Sequence, residues 1–239
     1  MIIEGAIAVK AAILNKKRNI NIIYIDKKNK NKDFNFIRKI IKLNNINYKE
    51  LSKDEVNSFC VGNSSGGICA DVDNRIEDKL NDGDIFYLDG IEDPFNLGYS
   101  IRSMYAFGIN NLVLPTYDYS NKEAQILKSS AGAFEMINII KCENIIDLIR
   151  QKKNEGYKVY ALFRGEGSKD LFKENFNEKV FLIIGGEKRG IKKEVINECD
   201  DCLFIPYGSN FRNALNACSV VSILSSILYD RKNNKWLNH

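Results

Sequence analysis

The chain has 239 residues, 44% hydrophobic and 28% charged, ordinary proportions for a globular protein and enough length for one large domain or two smaller ones. Its net charge of +4 is uneven: residues 1–75 hold 14 Lys and Arg against 8 Asp and Glu, whereas residues 76–239 hold 21 against 23, so the front half suits an anionic polymer or a solvated Lys-rich surface. The only histidine is His239, at the last position, where a chain is usually mobile, which excludes Ser-His-Asp, Cys-His and H-E-x-x-H chemistry.

In chain order, residues 1–10 are apolar but carry Glu4 and lack a basic leader and a small-residue cleavage site, a poor signal peptide. Residues 6–14 read as a short helix, 21–25 as a strand and 34–43 as a helix with apolar positions at helical spacing. Residues 47–51 read as a strand and 53–59 as a helix opened by Ser52 with Glu55 three positions on, a capping-box pattern; 68–72 read as a strand. The charged stretch Asp73–Asp84 is read as the linker, dividing the chain into a small α/β domain at 1–75 and a second domain at 76–239. In the second domain strands are predicted at 85–88, 112–114, 158–163, 180–184 and 203–205. Helices are predicted at 96–107, from 124, and at 145–155, 192–197 and 215–229. This alternation predicts a parallel sheet flanked by helices. No apolar run approaches the length of roughly 18 residues that a membrane span needs, so a cytoplasmic chain is expected, with no membrane partner.

Three loops follow apolar strands, where ligands of open parallel sheets bind. The first, after 85–88, contains Pro94, Asn96, Gly98 and, six residues past Asn96, Arg102. Arg102 can equally be a surface residue paired with Glu92 or Asp93. The second reads Gly185-Gly186-Glu187-Lys188-Arg189-Gly190. It is no nucleotide P-loop, since Ile191-Lys192 follows instead of Lys-Ser/Thr, and Gly165-Glu-Gly167 lacks the third glycine of a dinucleotide fingerprint. The third runs from Ile205-Pro206 to Leu215-Asn216, with Asn216 placed to cap a helix or to offer its amide to a substrate. Six cysteines are scattered. Cys199 and Cys202 form a lone C-x-x-C, read as plain thiols over a redox pair or half a zinc site, and no metal site is expected.

Together the three loops resemble the SpoU/TrmH family of RNA 2′-O-ribose methyltransferases in the SPOUT superfamily. The family's Asn-x-Gly-x-x-x-Arg is matched by Asn96, Gly98 and Arg102, its Gly-x-Glu-x-x-Gly by Gly185, Glu187 and Gly190, and its Ile-Pro…Leu-Asn by Ile205, Pro206, Leu215 and Asn216. A family Ser-x-Gly-Ala stretch is matched by Ser130, Gly132 and Ala133. In the front half, Gly5–Val9, the basic Lys16-Lys17-Arg18 and Gly67–Val72 resemble the substrate-binding domain of the ribosomal-RNA ribose methyltransferases. One departure stands out: Ala214 replaces the family's serine before Leu-Asn, and the glycine-rich loop there is replaced by Tyr207–Asn213.

The resemblance implies an α/β fold: a ribosomal-protein-like N-terminal domain before a parallel-sheet SPOUT domain with a deep trefoil knot. It implies a homodimer, with the first motif of one subunit near the cofactor of the other. It implies S-adenosylmethionine as cofactor, contacted at Gly185, Gly186, Ile205 and Leu215. Structured RNA is the implied partner, with 23S ribosomal RNA favoured over transfer RNA. Arg102, Asn96, Glu187 and Asn216 are the implied catalytic residues. Arginine is a poor base, so Arg102 is expected to clamp a phosphate and stabilise charge on the 2′-oxygen. Asn96 and Asn216 would orient Arg102 and the ribose, while Glu187 would organise its loop and accept the proton through water. The Ala214 departure leaves a catalytically decayed RNA-binding protein as an alternative.

Overall fold

In a computed structural model, residues 1–62, 65–186 and 189–233 are described. In chain order the elements are β1 (Ile2–Glu4), α1 (Ala6–Asn15), β2 (Ile20–Asp26), α2 (Lys32–Leu43), β3 (Tyr48–Leu51), α3 (Lys53–Ser58) and β4 (Ile68–Val72). There follow β5 (Ile85–Asp89), α4 (Pro94–Ala106), β6 (Asn111–Pro115), α5 (Glu123–Ser129), β7 (Asn138–Cys142) and α6 (Ile145–Asn154). The last are β8 (Lys158–Leu162), β9 (Lys169–Asp170), β10 (Val180–Gly185), α7 (Lys193–Glu198), β11 (Asp201–Phe204) and α8 (Ala217–Asn233). The chain forms two units, Met1–Ile76 with Asp118–Met136, and Glu77–Tyr117 with Ile137–His239.

The first unit has a four-stranded sheet in the order β1-β4-β2-β3, parallel only between β2 and β3. Its helices start where the side chains permit. Asn31 accepts the Phe34 N–H at 2.9 Å to open α2, whose Phe34, Ile37, Ile40 and Ile41 form one buried face. At α3 the capping box is present: Ser52 Oγ accepts from the Glu55 N–H at 3.3 Å, and Glu55 Oε2 accepts from the Ser52 N–H at 2.7 Å. The expected domain division at 75/76 places residues 118–136 in the second domain, whereas this segment packs with Met1–Ile76.

Buried ion pairs hold that segment. Arg18 is 5% exposed; its Nε donates to Glu135 Oε1 at 2.8 Å, and its Nη1 to Glu123 Oε2 at 2.9 Å and to the Asp73 carbonyl at 3.1 Å. Arg18, grouped in the sequence with an RNA-binding basic run, is therefore spent inside the protein. Replacing it with methionine strands two buried carboxylates and is expected to cost about 3–5 kcal/mol, read from urea unfolding. An unchanged midpoint would show that the cluster is not a stabilising one.

The second unit is built on seven parallel strands in the order β7-β6-β5-β10-β8-β11-β9. The central strands are apolar on both faces: Ile85, Tyr87, Val113, Val159, Phe181 and Ile183 share one core. The predicted linker is partly structural. Asp78 exchanges hydrogen bonds with Ile139 of β7 at 2.9 and 3.2 Å, and Asn81 donates its N–H to Asn111 Oδ1 at 2.8 Å. Helix α8 packs on α4 and on β10. Among the described residues, no helix is long and apolar enough to cross a membrane.

Candidate functional site

The parallel sheet sends β5, β10 and β11 into the three loops that the sequence singles out. After β5, Asp93 accepts the Asn96 N–H at 2.8 Å and Pro94 occupies the first turn, so α4 starts sharply with Asn96 near its beginning. Gly98 is buried one turn further on, and Arg102 follows on the same helix. Arg102 is exposed and has no hydrogen-bond or ion-pair partner among the described residues. The alternative in which it pairs with Asp93 is therefore not seen, and that carboxylate is occupied by the cap.

After β10 the backbone is crowded enough to require glycine twice. A Cβ on Gly185 would stand 2.5 Å from the Gly190 carbonyl carbon, and one on Gly186 would stand 2.6 Å from the Gly90 oxygen. The loop closes on itself, with the Gly190 N–H donating to the Gly186 oxygen at 3.0 Å. Glu187, the expected organiser of this loop, lies outside the described residues. Gly185 stands opposite Asp89 in register. Burial pushes the Asp89 carboxyl above its ordinary value, against the opposing pull of Lys192 and Arg189.

After β11 the chain runs from Ile205 to α8, which starts at Ala217, two residues later than predicted, because Asn216 caps it. Asn216 Oδ1 accepts the Cys218 N–H at 2.8 Å, and its carbonyl accepts the Val220 N–H at 3.1 Å. The cap fixes the amide's orientation, since the oxygen must face the helix, so the NH₂ points away. It meets Asn96 Oδ1 at 3.5 Å. One side chain thus both caps α8 and reaches Asn96.

Gly185, Gly186, Ile205 and Leu215 line a single cavity of about 230 Å³. Leu162, Ile184 and Leu203 add apolar walls, and Arg164, Tyr207 and Ala214 also face it. Among the described residues, no acidic side chain lines it. Apolar walls interrupted by the backbone at strand ends fit a flat heteroaromatic ring whose edge is read by N–H and C=O groups. Such a cavity suits the adenosyl part of S-adenosylmethionine.

Sequence reasoning missed Arg164, Tyr207 and the perturbed Asp89. Asp89 carried the signal of a carboxylate at the end of a buried strand, but Arg164 and Tyr207 meet only in space. The family-like Ser130 and Gly132 lie in the first unit. Ser130 Oγ there donates to the Leu127 oxygen at 3.1 Å and accepts from the Phe134 N–H at 3.1 Å, so the stretch serves that unit's packing.

The Cys199–Cys202 pair is not poised for redox chemistry. Burial pushes the Cys199 thiol up to about 12 and raises that of Cys202, and Cys199 Sγ donates to the Val195 oxygen at 3.2 Å. At pH 8 such a thiol is thiolate to roughly 1 part in 10,000. Iodoacetamide at that pH is expected to spare Cys199 in the native chain and label it after urea unfolding. Equal labelling in both states would contradict this burial. Among the described residues, no group of three or more His, Cys, Asp or Glu is arranged to hold a metal ion.

Residues 84–226 match the model of the SpoU rRNA Methylase family, and residues 2–76 match that of RNA 2′-O ribose methyltransferase substrate binding. A Staphylococcus saprophyticus protein named for the TrmH family of tRNA/rRNA methyltransferases is 27% identical over 245 residues, covering 98% of this chain and 96% of its own. The 23S rRNA (guanosine-2′-O-)-methyltransferase RlmB of Xanthomonas axonopodis is 25% identical over 215 residues, covering 85% and 86%. Among solved structures, the SpoU methyltransferase AviRb from Streptomyces viridochromogenes, in complex with the cofactor AdoMet, shares the fold. Its TM-score is 0.77 at 17% identity, covering 98% of this chain and 90% of that one.

Proposed function

As a member of the SpoU rRNA methylase family the chain is an RNA methyltransferase, and we propose that it moves the methyl group of S-adenosylmethionine to a ribose 2′-hydroxyl of structured ribosomal RNA, 23S RNA first, in the cytoplasm. One observation carries this reading. Asn96 and Asn216 meet at 3.5 Å where α4 and α8 begin, with Leu215 beside them lining the cavity and Arg102, without a partner among the described residues, further along α4.

The bound cofactor supplies an electrophilic methyl on a sulfonium leaving group, so the protein needs no acid, only alignment. Gly185, Gly186, Ile205 and Leu215 hold it through backbone and apolar contact. Arg102 clamps an RNA phosphate through its planar fork and stabilises negative charge growing on the 2′-oxygen. Asn96 and Asn216 fix the ribose and the arginine. Glu187 takes the proton through water. The basic front unit supplies RNA affinity, and the 23S rRNA methyltransferase of Xanthomonas axonopodis among the relatives supports ribosomal over transfer RNA.

The fold supports two further parts of this reading. Strand β10 lies between β5 and β8 although β8 precedes it, and α8 returns from β11, beyond β8, to pack on α4. That strand order and return are what the reading of a trefoil knot rests on. Helix α4 also leaves Phe95 and Tyr99 about half exposed on the face of Arg102, an apolar stripe that a second copy of the chain would cover and through which it would bring its own Arg102 to the neighbour's cavity. The test is methyl transfer from labelled S-adenosylmethionine to unmodified 23S RNA and to transfer RNA transcripts, run beside sedimentation. We expect a dimer that labels the 23S RNA. Labelling of transfer RNA alone, or a monomer that is fully active, would overturn the corresponding part.

A further inference from the structure

The segment from Ile205 to Leu215 forms a wall of the cavity, yet it belongs to neither β11 nor α8 and needs something to hold its shape. The structure supplies that from a different strand. Arg164 lies just past the end of β8, and its Nη2 donates to the Ile205 carbonyl at 2.7 Å. The same guanidinium lies 4.0 Å over the centre of the Tyr207 ring. The Tyr207 hydroxyl in turn accepts the Leu215 N–H at 3.2 Å. One arginine and one tyrosine therefore fasten the start of the segment to its end.

We propose that Arg164 and Tyr207 are positioning residues that clasp the 205–215 segment into the cofactor-binding wall before the cofactor arrives. This rests on the reading of the cavity as the S-adenosylmethionine site. A planar guanidinium can stack on a ring and donate in its plane at once, which an ammonium cannot do. The stacked pair and two hydrogen bonds tie down the segment at both ends, at Ile205 and at Leu215. A wall ordered in advance spares the ligand the entropy cost of ordering it. The clasp also occupies the place of the family's departure. At position 214 there is only a methyl group facing the cavity, and the Tyr207 hydroxyl reaches the backbone immediately after it.

The test uses the full chain with Arg164→Ala, Tyr207→Leu and the double substitution. Arg164 is exposed, so its removal does not threaten the core. Two readouts are taken. The first, without cofactor, is tryptic cleavage after Arg212, an exposed residue within the segment, followed by mass spectrometry. The second is S-adenosylmethionine affinity by calorimetry. Each single substitution is expected to speed the cleavage and to weaken cofactor binding by about five- to tenfold, with the thermal midpoint of the cofactor-free chain unchanged. The double variant is expected to match either single one, because both remove the same clasp. In the methylation assay the KM for the cofactor rises while kcat holds. Fully additive losses, or binding and cleavage equal to wild type in all variants, would overturn the clasp alone. A wild-type chain that binds no S-adenosylmethionine would overturn the clasp together with the assignment of the cavity.

Discussion

Arg102→Lys is expected to lower methyl transfer by about 10²- to 10³-fold while leaving cofactor affinity at the wild-type value. Arg102 projects from α4 without a partner among the described residues, so no internal hydrogen bond is lost on substitution and the fold should be indifferent to it. Lysine preserves the charge, and long-range attraction to RNA should therefore persist. What it cannot preserve is the rigid five-donor fork that holds a phosphate oxygen and still has N–H groups to direct at an oxygen acquiring charge. The loss should therefore fall on kcat, measured under saturating RNA and cofactor. A lysine variant with near-full activity would show that Arg102 contributes charge alone and is no clamp.

Gly186→Ala is expected to abolish measurable cofactor binding, a loss of about 100-fold or more, with the chain still folded. The added Cβ would stand 2.6 Å from the Gly90 oxygen and 2.9 Å from the Asp89 oxygen, both backbone atoms that no rotamer change can move. Relief requires the ends of β5 and β10 to part, and Gly186 is itself part of the cavity wall. Overpacking of this kind costs about 1–3 kcal/mol in stability, which a domain with this much buried sheet can absorb, whereas a site needs its geometry within a fraction of an ångström. Gly208→Ala is the control. Gly208 lies in the loop after β11, and a Cβ there meets nothing within 4 Å. Calorimetry with S-adenosylmethionine should show no heat for the first variant and wild-type heat for the second. Wild-type affinity in Gly186→Ala would mean that the two loops are free to separate.

How much of this was legible in the sequence depended on whether the signal was local. The capping box at Ser52 and Glu55 and the unbroken apolar run of β10 are written in adjacent residues, and both elements were predicted within a residue or so of where they stand. The three loops were readable for the same reason, since each follows an apolar strand. The strands that were missed are short or lie at a sheet edge. β1 has three residues, β9 has two, and β7 at the edge is only partly buried, its apolar Ile139 and Ile140 interrupted by the exposed Lys141. The packing of residues 118–136 against the first unit was not legible because it rests on partners far away in sequence. Glu123 and Glu135 meet Arg18 across more than 100 residues, and nothing near any of the three marks them as buried. Asn216 was readable as a cap or as a site residue, and the 2.8 Å bond to Cys218 and the 3.5 Å approach to Asn96 show that capping leaves its NH₂ free to meet α4. The Arg164–Tyr207 pair had no local signal, being 43 residues apart and joined only by the return of the chain beside β8.

The central claim, that these loops deliver a methyl group to a ribose oxygen, is tested most directly by alkaline hydrolysis of the product. A methylated 2′-oxygen cannot attack the adjacent phosphate, so the linkage that follows it survives alkali. Ribosomal RNA from cells lacking this enzyme, treated with the chain and labelled S-adenosylmethionine, should yield the label in one alkali-resistant dinucleotide, formed about 10²- to 10³-fold more slowly when Arg102→Lys is used. Label released wholly in mononucleotides would place the methyl on a base and contradict the account.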